Sequence, residues 1–99
     1  MIKVNIKKDQ ITIKGHADYE EAGKDIVCAS VTSIATTTIN AIMRLNEDAI
    51  EFKSDSGLID ITIKKHNDLV DTLLLNMTEL FKELEKEYKK YIKINEEVL

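Results

Sequence analysis

The chain has 99 residues, 14 Lys and Arg against 18 Asp and Glu, a net charge of −4, and a single cysteine, Cys28. That length holds one domain, residues 1–99, with one modest core and no room for a separate cofactor domain. The acidic balance argues against duplex DNA as the main ligand, one cysteine excludes an intrachain disulfide, and no apolar run approaches the roughly 18–20 residues of a membrane span. With no signal-peptide core in MIKVNIKKDQ, the expected address is the cytosol.

Ile2, Val4 and Ile6 alternate with Lys3 and Asn5 and predict a half-buried strand. After the polar turn Lys7 to Gln10, Ile11 and Ile13 predict a second strand that stops at Gly15, completing a hairpin. Ala17 to Lys24 follow neither period and read as a loop.

A helix is predicted from Asp25, its N-cap, to Leu45. Val27, Val31, Ile34, Thr38, Ile42 and Leu45 recur at three- and four-residue steps, and Cys28, Ala35, Ile39 and Met43 widen the stripe. The run Thr36-Thr37-Thr38 disfavours helix through branching at Cβ and leaves strand as the alternative for part of this stretch.

The order then repeats. Ile50 and Phe52, the turn Ser54 to Gly57, and Ile59, Ile61 and Ile63 predict a second hairpin. His66 reads as solvated, and Asn67 as the N-cap of a second helix with Asp68 and Asp71 at its positive end. Val70, Leu73, Leu74, Met77, Leu80, Phe81, Leu84 and Tyr88 make its apolar face. Tyr91, Ile92 and Ile94 predict a last strand, with Asn95 to Leu99 a frayed tail. The resulting fold class is α+β: a two-layer sandwich in ββαββαβ order, two long helices against a small, mostly antiparallel sheet.

Chemistry concentrates in one stretch, Gly15-His16-Ala17 followed by Gly23-Lys24-Asp25-Ile26-Val27-Cys28-Ala29-Ser30-Val31-Thr32. It holds the one cysteine and one of the two histidines. A cysteine in a first helical turn meets free N–H groups and the positive end of the dipole, which favour the nucleophilic thiolate. The same N–H groups, that of Cys28 included, suit an oxyanion. The spacing therefore supplies a nucleophile, a base and an oxyanion hole, set against the plainer reading of a small core cysteine and a surface histidine. Asp25 serves either as helix cap or as orienter of His16. Ala29 and Ser30 let a substrate strand approach the helix or serve helix–sheet packing, and the loop Ala17 to Lys24 is either a lid or solvated chain, with Glu20 and Glu21 placed to attract a basic substrate. Without a CxxC or HxxxH pair, no metal site is expected.

The wording of the stretch, GHA, a short loop with glycine, then DIVCASVT, resembles the ribosomal-processing cysteine protease family Prp. The matching positions are Gly15, His16, Ala17, Gly23, Asp25, Ile26, Val27, Cys28, Ala29, Ser30 and Thr32, and chain length and element order extend the likeness over the whole chain. Ser30 stands where alanine or glycine is common, and Thr32 where serine is. The resemblance implies a small bacterial cytoplasmic cysteine protease, a hydrolase that uses no cofactor. It implies removal of an N-terminal extension from a large-subunit ribosomal protein, with Cys28 as nucleophile and His16 as general base, and Asp25 in the place of the family's aspartate. It also implies a homodimer with no direct contact to nucleic acid or membrane. The competing reading is a non-catalytic ribosome-associated binding module on the same fold. A thiol redox sensor on Cys28 is a third, weakened by the lack of a resolving cysteine.

Overall fold

Branched aliphatics at every second position set the strands, and the structure, a computed structural model, describes residues 1–15 and 22–97, the side chains of 22–25 excepted. β1 (Ile2–Ile6) and β2 (Gln10–Lys14) form the first hairpin, and β3 (Ile50–Asp55) and β4 (Leu58–Ile63) the second. α1 (Ala22–Leu45) separates them, and α2 (Asp68–Glu87) leads to β5 (Ile92–Glu96). The ββαββαβ order is as the sequence predicts.

The strands make one five-stranded sheet in the order β3-β4-β2-β1-β5. Every pairing is antiparallel except β1 with β5. The two hairpins join through β2 and β4, with Lys14 opposite Leu58 and Ile13 opposite Ile59. One sheet face carries Val4, Ile11, Ile13, Ile61 and Ile63 into the core. Val27, Val31, Ala35, Ile39 and Ile42 of α1, and Val70, Leu74, Met77 and Phe81 of α2, are buried with them in one cluster. Removing a side chain such as Phe81 from water contributes about 1.5–3 kcal/mol. The other sheet face carries Lys3, Asn5, Thr12 and Lys14, none of them buried.

α1 runs unbroken, so the strand alternative for its threonine run is not realised. Thr36 and Thr37 point outward, and buried Thr38 donates its hydroxyl to the Ile34 carbonyl at 2.8 Å, which satisfies it inside the helix. Taken whole, Ile26–Leu45 is long and apolar enough by length and hydropathy (mean 1.6) to cross a membrane, contrary to the expectation from apolar runs alone. Its buried stripe faces the core, as a core helix requires.

Two boundaries, the start of α1 and the end of β5, differ from expectation. α1 begins at Ala22, three residues before Asp25, so Asp25 lies inside the helix and is not its N-cap. A first helical turn needs no apolar residue, so Ala22 to Lys24 gave no periodic signal while already helical. Of the expected loop, residues 17–21 lie outside the described residues. Asn95 and Glu96 belong to β5, and Glu97 donates its N–H to the Ile6 carbonyl at 2.9 Å, so the tail begins later than predicted. Leu45 at the end of α1, Phe52 on the edge strand β3 and Leu80 in the middle of α2, each placed by pattern on an apolar face, are exposed. α2 follows the prediction: Asn67 caps it, its side chain accepting from the Val70 N–H at 3.0 Å.

Candidate active site

Gly15 ends β2 with φ +136°, a conformation that side-chain-bearing residues rarely adopt. A Cβ there would lie 2.6 Å from the Met1 carbonyl oxygen and 2.9 Å from the Ile2 Cα, both backbone atoms. Its N–H donates to the Gly57 carbonyl at 3.0 Å, which ties the end of β2 to the β3–β4 turn. Gly57 itself turns at φ 73°.

Beside this knot opens a cavity of about 170 Å³. Its walls are Cys28, Val31 and Thr32 of α1, Gly15 and the strand residues Ile2 and Ile13, and the second hairpin's Ser54, Asp55, Gly57, Leu58 and Ile59. Cys28 is half-buried and packs against the core beside the cavity. The thiol therefore combines partial access with apolar neighbours.

The helix start changes one part of the expected site. Cys28 is the seventh residue of α1, not a member of its first turn. Its N–H falls where the helix ladder already provides an acceptor, so it is not a free oxyanion donor, and the end-of-helix field is correspondingly more distant. The polar side chains on the described cavity wall are Thr32, Ser54 and Asp55. The Asp55 carboxylate already accepts from the Ser56 N–H at 2.7 Å.

Of the residues singled out by sequence, the structure brings Gly15, Cys28 and Thr32 to one cavity. His16 lies outside the described residues; Gly15, immediately before it, lines the cavity. Gly23 and Asp25 are placed in α1. Ala29 is exposed, Ser30 is partly exposed, and neither lines the cavity. His66 is exposed, as expected, and also sits between two carboxylates: Nδ1 is 2.8 Å from Asp71 Oδ1 and Nε2 is 2.7 Å from Asp9 Oδ1. These bonds, that to Asp9 first and that to Asp71 next, raise its pKa above 6.5. Sequence reasoning missed the second hairpin's contribution. Ser54 to Gly57 read as turn chemistry and nothing more, and their place at the site depends on the β2–β4 pairing. Among the described residues no group of three or more His, Cys, Asp and Glu could hold a metal ion.

Comparison with known proteins gives a consistent picture. The model of a family described as cysteine protease Prp matches residues 1–93. The ribosomal processing cysteine protease Prp of Mycoplasma genitalium is 33% identical over 99 residues, covering 98% of this chain and 97% of that one. The protein of the same name from Staphylococcus aureus is 30% identical over 92 residues, 90% of this chain and 87% of its own. The crystal structure of the S. aureus protease with a covalently linked product peptide superposes with a TM-score of 0.82 at 26% identity, covering 97% of each chain. The same enzyme with a substrate peptide gives 0.84 at 25% identity, again over 97% of each.

Proposed function

Because the chain belongs to the cysteine protease Prp family, and is thus a cysteine protease of ribosomal-protein processing, we propose that it removes the N-terminal extension of a large-subunit ribosomal protein with Cys28 and His16 as its dyad. The observation that carries this reading is the cavity in which the half-buried Cys28 meets Gly15, the residue that leads into His16.

His16 takes the proton from the Cys28 thiol, and Sγ attacks the scissile carbonyl carbon. Among the described residues, the hydroxyls of Thr32 and Ser54 on the cavity wall are side-chain donors for the oxyanion. His16 returns the proton to the leaving amine, which departs as the new N-terminus of the ribosomal protein. A water then attacks the thioester, giving its proton to His16, and the released carboxylate frees the thiol. Asp25, inside α1 and not at its cap, takes the place of the family's aspartate. Ile13, Val31, Leu58 and Ile59 make an apolar wall that suits an apolar side chain next to the scissile bond. We place the enzyme in the bacterial cytoplasm as a homodimer; exposed Leu69, Leu75 and Leu80 of α2 leave apolar surface on the helical layer for a second copy.

The test is intact-mass analysis of a large-subunit ribosomal protein carrying its extension, incubated with wild type or Cys28→Ser. A single truncation by wild type alone supports the reading and locates the scissile bond. An unprocessed substrate with a well-folded enzyme leaves the binding-module reading in its place.

A further inference from the structure

The open face of the sheet carries a feature that the net charge hides. Lys14 of β2 lies opposite Lys3 of β1, and Lys3 lies beside Lys93 of β5 in the parallel pairing. Three lysines therefore stand in one row across three neighbouring strands, on the face the helices do not cover. With strands about 4.8 Å apart, the row spans roughly 10 Å. All three side chains are exposed.

Like charges placed directly opposite on a sheet destabilise it. None of the three lysines has an ion pair among the described residues, whereas Lys64, Lys65 and Lys82 each reach a carboxylate. The next row inward along β2, β1 and β5 is Thr12, Asn5 and Asn95, neutral and hydrogen-bonding. The carboxylate on that level, Asp60, accepts from the Gln10 amide at 3.0 Å and faces Lys53. Lys89 and Lys90, in the turn leading to β5, extend the positive charge beyond the row.

The row also has a fixed relation to the cavity. Continued through the ladder, it runs Lys93, Lys3, Lys14, Leu58, Asp55, and the last two line the wall beside Cys28. A polyanion held on the lysines would thus pass along the same end of the sheet as the reactive thiol.

Against the expectation of no direct contact to nucleic acid, we propose that this face is a binding surface for single-stranded RNA, whose phosphates the lysine row neutralises while Asn5, Thr12 and Asn95 offer hydrogen bonds to sugar and base. The choice of RNA among polyanions rests on the ribosomal-processing reading, since a ribosomal protein is met in the company of RNA; the charge row itself does not. Among the described residues these two rows hold no aromatic side chain, so the face binds the backbone without reading sequence and the affinity is electrostatic.

The experiment is fluorescence anisotropy with a labelled uridine dodecamer, on the Cys28→Ala protein without any protein substrate. RNA binding and proteolysis are thereby scored separately. Binding at low salt is expected to weaken with added salt along a log–log slope of about −2, the value for three neutralised phosphates on a single strand. The triple variant Lys3→Gln, Lys14→Gln, Lys93→Gln should bind at least about tenfold more weakly. It should melt no lower than the parent, because the like-charge row is relieved. A control with the same charge change, Lys8→Gln, Lys64→Gln, Lys65→Gln, should keep the parent's affinity within about twofold. Equal affinity of the two triple variants overturns the proposal, as does absence of binding at low salt. Equally strong competition by poly-glutamate also overturns it and assigns the face to an acidic protein.

Discussion

The N–H of Gly15 donates to the carbonyl of Gly57 at 3.0 Å, fastening the end of β2 to the β3–β4 turn at the wall of the cavity that holds Cys28. The two residues are 42 positions apart, yet each has a positive φ and each lines the site. The glycine of the GHA sequence thus has a steric reason. The chain must pass over the Met1–Ile2 backbone at a distance no Cβ tolerates.

Gly15→Ala should therefore be costly. The φ alone costs about 1–3 kcal/mol, and the clash is with backbone atoms that cannot rotate away. A fall in melting temperature of roughly 10 °C, with a larger loss of proteolytic rate than any change elsewhere on β2 gives, is the expected result. Calorimetry alongside a peptide-cleavage assay checks both.

His66 makes stability depend on pH. Its ring nitrogens face Asp71 and Asp9, and only the protonated imidazole donates to both. Its folded pKa is raised, so the contribution is fully present below the unfolded value of about 6.5 and is lost as pH rises through the folded value. The site is exposed and screened, so the effect is at most about 1 kcal/mol. The melting-temperature gap between wild type and His66→Gln should be larger at about pH 6 than at about pH 9. A gap that widens with pH contradicts the assignment.

Phe81 lies at the centre of α2's buried face with no solvent exposure. Phe81→Ala should cost about 3–5 kcal/mol, most of the stability of a small domain, and leave much of the protein unfolded at 37 °C. Asn67→Ala removes only the cap and should cost about 1 kcal/mol. Urea unfolding of the two variants side by side measures the difference.

Most of the framework was legible because one period governs each segment. Ile2-Val4-Ile6 and Ile59-Ile61-Ile63 announce strands, and Val70-Leu74-Met77-Phe81 a helix, with Asn67 at its start. The start of α1 was not legible. Ala22 to Asp25 carry no apolar period, and the capping chemistry of Asp25 mimics a beginning that lies three residues earlier. Cys28 was visible through its neighbours in sequence, and Ser54 and Asp55 were not, because strand pairing across β2 and β4 brings them to it. The lysine row escaped for the same reason. Lys3, Lys14 and Lys93 are scattered along the chain and meet through register alone.

Cys28 and His16 are proposed to act as one unit. The direct measurement is kcat/KM on a peptide spanning the processing site for wild type, Cys28→Ala, His16→Ala and the double variant. Each single variant should lose about 10³-fold or more, and the double variant no more than the worse single, since either loss disables the same step. A His16→Ala enzyme that cleaves within a few-fold of wild type, or a Cys28→Ala enzyme that still cleaves, contradicts the account.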